Sequence, residues 1–158
     1  MGLEPLRIQR LYRAALLHDL GKLSVSNTIL DKPGRLTPEE FAVIKGHSRL
    51  SEQILSRIHR FEDIARIAGQ HHEKLDGSGY PDGLVAAQLT LDSHILTVAD
   101  IYGALSKKRP YREALSTERV LEIMRQDVPH KLDADCFEAL VRVLHSPSAA
   151  AVPATLAQ

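Results

Sequence analysis

Apolar residues in this chain recur at three- and four-residue intervals through most of its length and almost nowhere on alternate positions, the signature of helices rather than strands. From Leu6 to Leu20 the series Ile8, Leu11, Tyr12, Ala15, Leu16 predicts a helix that delivers His18 and Asp19 near its end, with Gly21 as its stop. Thr37-Pro38-Glu39-Glu40 combines a capping residue, a proline suited to the first helical position and a glutamate at the capping-box position. A helix follows through Phe41, Ile44, Leu50, Ile54 and Leu55 to about Arg57 or Ile58, and it carries His47. Another is expected from about Glu62 to Glu73, carrying His71 and His72.

The run Asp76-Gly77-Ser78-Gly79-Tyr80-Pro81-Asp82-Gly83 is dense in turn formers and predicts a loop. Helical periodicity resumes from Leu91 to about Lys107, with Asp100 set among apolar residues, and again over about 117–126 and 133–144. The expected class is all-α, one helical bundle over 1–145 with a glycine-rich loop beside the site. From Ser146 onward the sequence turns to alanine, proline and serine, and a disordered tail over 146–158 is expected.

Composition narrows the function. A length of 158 residues at 44% hydrophobic supports one core. Twenty basic and twenty acidic side chains leave a formal net charge of +0, so no global field gathers DNA. One cysteine, Cys136, makes no internal disulfide, and nothing in the sequence resembles a signal peptide or a long apolar span; a cytoplasmic protein is expected. The chain is rich in histidine, with eight. Any one histidine in a helix is ordinarily a packing residue. His18, Asp19, His47, His71, His72 and Asp100 together are different, because burying several imidazoles and two carboxylates is costly unless a cation satisfies them. Imidazole and carboxylate suit iron, manganese, nickel or zinc. Adjacent residues on a helix point about 100° apart, so His71 and His72 would serve two metals better than one.

These residues sit in recognisable surroundings: His-Asp-Leu-Gly-Lys at 18–22, Ile-Leu-Asp-Lys-Pro-Gly-Arg-Leu-Thr-Pro-Glu-Glu at 29–40, His47, His-His-Glu-Lys-Leu-Asp-Gly-Ser-Gly-Tyr-Pro at 71–81, Asp100, and Arg-Pro-Tyr-Arg at 109–112. Over roughly Ala14 to Ala114 the chain resembles the HD-GYP family, a branch of the HD-domain metal-dependent phosphohydrolases that degrades cyclic di-GMP. The resemblance implies hydrolysis of cyclic di-GMP to pGpG, and onward to GMP. It implies two or three divalent ions, iron or manganese first and nickel or zinc next. The ligands would be His18, Asp19, His47, His71, His72 and Asp100, with Asp19 bridging and catalytic. Lys22 would act in catalysis and contact phosphate, and Tyr80, Arg109 and Arg112 would meet the ligand. Glu73 and Asp76 would orient a ligand histidine. Implied partners are cyclic di-GMP, diguanylate cyclase domains docking on the Gly-Tyr-Pro loop, and an upstream sensor or receiver domain, with room for a homodimer.

The chain also departs from that pattern. Family members carry a further histidine, and in the three-metal form a glutamate, on a helix well upstream of the His-Asp pair. Met1 to Leu17 hold no histidine and one acid, Glu4, so the chain reads as truncated relative to the family. Gly103 replaces the usual aspartate and His94 a common arginine. His59, His94, His130 and His145 fall outside the pattern and are expected at the surface or in packing. Two other readings stand beside hydrolysis: a catalytically impaired module that binds cyclic di-GMP or protein, and a mononucleotide-directed HD enzyme, against which the Gly-Tyr-Pro loop and residues 109–112 argue.

Overall fold

The computed structural model describes residues 1–108 and 113–146. Arg109 and Arg112, and the tail from 147, lie outside the described residues.

Among the described residues the chain is helical: α1 (Pro5–Leu17), α2 (Asn27–Leu30), α3 (Pro38–Leu55), α4 (Glu62–Gly69), α5 (Leu91–Ser106), α6 (Thr117–Arg125) and α7 (Ala134–Leu144). The only strand-like pairing among them is an isolated antiparallel bridge between Asp76 and Val85. Side-chain caps set most helix starts. Thr37 and Glu40 form a reciprocal capping box at α3, and Thr90, Ser116 and Asp133 accept the backbone N–H of Ser93, Arg119 and Cys136 at α5, α6 and α7. The short α2, unmarked by apolar periodicity, starts at the cap Ser26.

Two expected helix ends move. The first helix stops at Leu17 rather than Leu20, and the chain tightens into a 3-10 turn over Leu20–Ser24. Gly21 lies inside that turn and is no helix stop. Its role is close approach, since a Cβ there would fall 2.0 Å from the His47 carbonyl oxygen. The helix expected to reach Glu73 ends at Gly69, which puts His71 and His72 in the turn beyond it. The premise of two rings fanned apart on a helix is therefore corrected: the ring centroids of His71 and His72 lie 3.9 Å apart.

α5 sits centrally. Its Val98 joins Val120, Leu121, Met124, Leu132, Cys136 and Phe137 in a core with α6 and α7. Its Leu96 joins Ala14, Ile64 and Ile67 in a second core with α1 and α4. Burying a side chain of that size is worth about 1.5–3 kcal/mol, so α5 is held from both sides. Asp92 at its start, 2% exposed, receives Arg7 and Arg10 and ties α1 down. α3 packs on α4 and on the 3-10 turn. Asp100 lies four residues after Leu96, on the same helical side, and so faces α1 and α4. No helix among the described residues is long and apolar enough to cross a membrane.

Candidate functional site

The His-Asp pair, the middle of α3, the turn after α4 and the α1-facing side of α5 meet at one place. His47 Nε2 lies 3.3 Å from His71 Nε2 and 3.3 Å from Asp19 Oδ1, and His71 Nε2 lies 3.8 Å from the same oxygen. His18 Nε2 lies 3.4 Å from Asp19 Oδ2 and 3.5 Å from Asp100 Oδ1, and His72 Nδ1 is 3.9 Å from Asp100 Oδ2. All six of the expected metal-ligating residues are thus brought together.

The backbone fixes the tautomer of three rings. Nδ1 of His18, His47 and His71 faces the carbonyl oxygen of Ala15, Ile44 and Ala68 at 2.8, 2.5 and 2.5 Å. A carbonyl only accepts, so each Nδ1 carries a hydrogen, and it is the Nε2 of the neutral ring that presents a lone pair inward. His47 Nε2, His71 Nε2 and Asp19 Oδ1 then confront one another as acceptors. Asp19 Oδ1 is buried and has no hydrogen-bond donor among the described residues. Such a set is costly unless a cation lies among its members. Two donor groups have that spacing, His47 with His71 and His72, and His18 with Asp19 and His71. The residues present fit divalent metal.

The electrostatics agree. Burial lowers His71 to about 4, helped by the neighbouring His18 and His47. Burial likewise lowers His72 to about 3, with His71 beside it. Both rings are neutral near pH 7, the form that ligates. Burial works against charge on His18, but its contacts with Asp100 and Asp19 outweigh that and lift it to about 10. Burial opposes ionisation of Asp19 too, yet His18, His47 and Lys22 hold it well below the carboxylate range, and Asp100 is lowered chiefly by His18. The two carboxylates favour positive charge between them.

A cleft of about 430 Å³ opens onto this cluster, lined among others by His18, Asp19, Lys22, His47, His72, Tyr80 and Asp100. Lys22 Nζ donates to Asp19 Oδ2 at 2.6 Å. Tyr80 packs on His72, ring centroids 4.6 Å apart, and forms the lip. Burial, with Asp100 and Asp19 next, raises its phenol, which therefore stays protonated. Lys107 also lines the cleft and was not singled out by motif. Its spacing could have found it, since Asp100, Gly103 and Ala104 fall at helical intervals on one face of α5 and Lys107 follows at the helix's end. Nothing lies within 4 Å of a Cβ built at Gly103, which leaves that wall open.

Two expected supports act elsewhere. Glu73, 1% exposed, accepts the backbone N–H groups of Asp82 and Leu84, so it grips the Gly-Tyr-Pro loop rather than a histidine. Asp76 is exposed, and its Oδ1 accepts from the Ser78 amide and hydroxyl, so it shapes the turn. His94 packs inward with Nδ1 3.3 Å from Asp133, whereas His59, His130 and His145 are exposed.

Comparison with known proteins bears on the family and the fold. The family model described as HD domain matches residues 1–136. The chain is 49% identical over 135 residues to a 3'3'-cGAMP-specific phosphodiesterase 3 of Vibrio cholerae, covering 85% of this chain and 29% of that protein. It is 40% identical over 144 residues to the cyclic di-GMP phosphodiesterase response regulator RpfG of Xanthomonas campestris, covering 90% and 38%. It spans about a third of the length of these relatives. Among solved structures, the HDG"Y"P protein Bd1817 of Bdellovibrio bacteriovorus superposes with a TM-score of 0.73 at 21% identity, covering 91% of this chain and 46% of that one, which bears on fold alone. A cyclic GMP-AMP specific phosphodiesterase of Vibrio cholerae, V-cGAP3, gives 0.51 at 38% identity, covering 96% and 32%. With the His-Asp pair at the centre of a converging donor set on this helical frame, the chain belongs to the HD domain family, of which the HD-GYP proteins it resembles are a branch.

Proposed function

We propose that this domain hydrolyses a phosphodiester of a cyclic dinucleotide, cyclic di-GMP to pGpG and onward to GMP, at a divalent metal centre held by His18, Asp19, His47, His71, His72 and Asp100. The observation that carries the reading is the confrontation of His47 Nε2, His71 Nε2 and Asp19 Oδ1 with no donor for that oxygen. Iron or manganese suits the mixture of imidazole and carboxylate, with nickel or zinc next. When bound, divalent ions there supply Lewis acidity, activating water and neutralising charge that develops on phosphate.

The remaining roles belong to the chain's own side chains. Asp19, with one oxygen toward His18 and the other toward His47 and His71, is the carboxylate placed to serve both donor groups. Lys22, about one-third exposed at the cleft mouth, is the cation placed to meet a phosphate oxygen, as a compact point charge. Tyr80 closes the lip over His72 and keeps water from the imidazole face. Arg109 and Arg112 are proposed to hold the ligand's phosphate or guanine. The exposed outer edge of the loop, at Asp76 and Ser78, is where a diguanylate cyclase domain would meet it.

A second substrate has specific support. The relative at 49% identity is named for 3'3'-cGAMP, so the two cyclic dinucleotides compete as readings. Purified protein loaded with manganese or iron and offered both compounds tests them together. The expected result is turnover of cyclic di-GMP at the higher kcat/KM, abolished in Asp19→Ala. A preference for 3'3'-cGAMP would move the assignment to that substrate, and no turnover of either compound with either metal would contradict the hydrolase reading.

A further inference from the structure

Tyr80 lines two spaces. One is the metal-facing cleft, and the other, of about 330 Å³, is lined by Lys45, Gly46, Arg49, Leu50, Gln53, Tyr80 and Pro81. Adjacent residues of α3 divide between them, Ile44 facing the cleft and Lys45 the second space. Both volumes stand near the low end of ligand pockets, about 300–1,000 Å³, so neither alone suits a large ligand and the pair suits a ligand with two halves.

The second space has the chemistry of a nucleotide seat. Lys45 Nζ stands 5.1 Å from the ring centroid of Phe41 and 6.0 Å from that of Tyr80, and the two rings meet edge to face at 6.3 Å. No carboxylate among the described residues pairs with Lys45, so its charge is unspent. Arg49 is held by Asp82, whose amide is in turn held by the buried Glu73, so the rim is fixed in place. Phe41 is 45% exposed and stands beside the residues that line the second space, with Lys45 and the Tyr80 ring against it. Aromatic faces beside an unpaired cation attract a base and its phosphate.

We propose that Lys45, with the Phe41 and Tyr80 rings, binds the distal nucleotide of a dinucleotide substrate whose other phosphodiester lies at the His18–Asp19 cluster. The inference rests on the hydrolase reading above and assigns Lys45 and Phe41 as binding residues. Tyr80 is the divide over which the substrate passes.

The experiment uses the metal-loaded protein with cyclic di-GMP, 3'3'-cGAMP and the small diester bis(p-nitrophenyl) phosphate, together with calorimetric binding of the two cyclic dinucleotides. Lys45→Ala and Phe41→Ala are expected to raise KM for the preferred cyclic dinucleotide about tenfold, the scale of one lost base contact, with kcat little changed. The small diester, lacking a distal nucleotide, is expected to lose far less. Lys45→Arg should restore most of the affinity. Unchanged KM in both variants, or equal losses on the small diester, would overturn the proposal while leaving the hydrolase reading intact. Binding without turnover would overturn the hydrolase reading, and the variants' Kd values then decide the seat in the same directions. Failure of the wild-type protein to bind either cyclic dinucleotide would overturn both.

Discussion

At the scale of single residues, the site is built by local contacts that aim side chains. His18 and His71 each follow a helix end, where the last carbonyls lack an amide partner, and each ring N–H takes one of those carbonyls, Ala15 and Ala68. The same contact that satisfies the helix end points each Nε2 at Asp19. Gly21 supplies the close approach: its N–H donates to Ser51 Oγ at 2.8 Å, and the His47 carbonyl leaves no room for a Cβ there. Gly21→Ala is therefore expected to destabilise the protein by about 1–3 kcal/mol, the usual scale of overpacking, read as a lower urea midpoint. Equal stability would show that the turn can move off α3. The residue types that carry the chemistry were legible in the sequence, because histidine and carboxylate at such spacing are hard to explain by packing. What Glu73 and Asp76 do was not legible, since a carboxylate's partners depend on where the following loop folds back.

At the scale of elements, the capped starts and most ends were readable, and the ends of α1 and α4 were not. The Thr37–Glu40 box marks the start of α3 by chemistry confined to a few residues, whereas the ends of α1 and α4 are decided by competition from the histidine rings and by the packing of Gly21, which periodicity does not record. The cap of α7 offers a test with a definite sign. Burial opposes ionisation of Asp133, but hydrogen bonding from Cys136 and the nearby His94 hold its carboxyl below the usual value. A carboxylate depressed in the folded state stabilises above its unfolded pKa and loses that contribution as pH falls through the folded value. Asp133→Ala should cost about 1 kcal/mol at neutral pH, and the gap from wild type should narrow below about pH 4. A gap constant down to acid pH would mean that the side chain's charge takes no part in the cap.

At the scale of the whole molecule, the two cores sharing α5 explain how residues from α1, α3, the turn after α4 and α5 meet within a few ångströms. Leu96 and Asp100 lie on one side of a helix whose other side, at Val98, is locked to α6 and α7. That all-α frame was visible in the spacing of apolar residues. Its convergence on one cleft was not, because pattern along a chain carries no information on which helix faces which. The resemblance to known motifs supplied that link in the sequence, and the lone pairs facing Asp19 Oδ1 supply the physical reason for it. The most direct test of the account is calorimetric titration of metal-stripped protein with manganese, comparing wild type with Asp19→Ala at matched helical content. Stoichiometric binding by wild type and its loss in the variant are predicted; no binding by wild type, or equal binding by both, would contradict the metal centre.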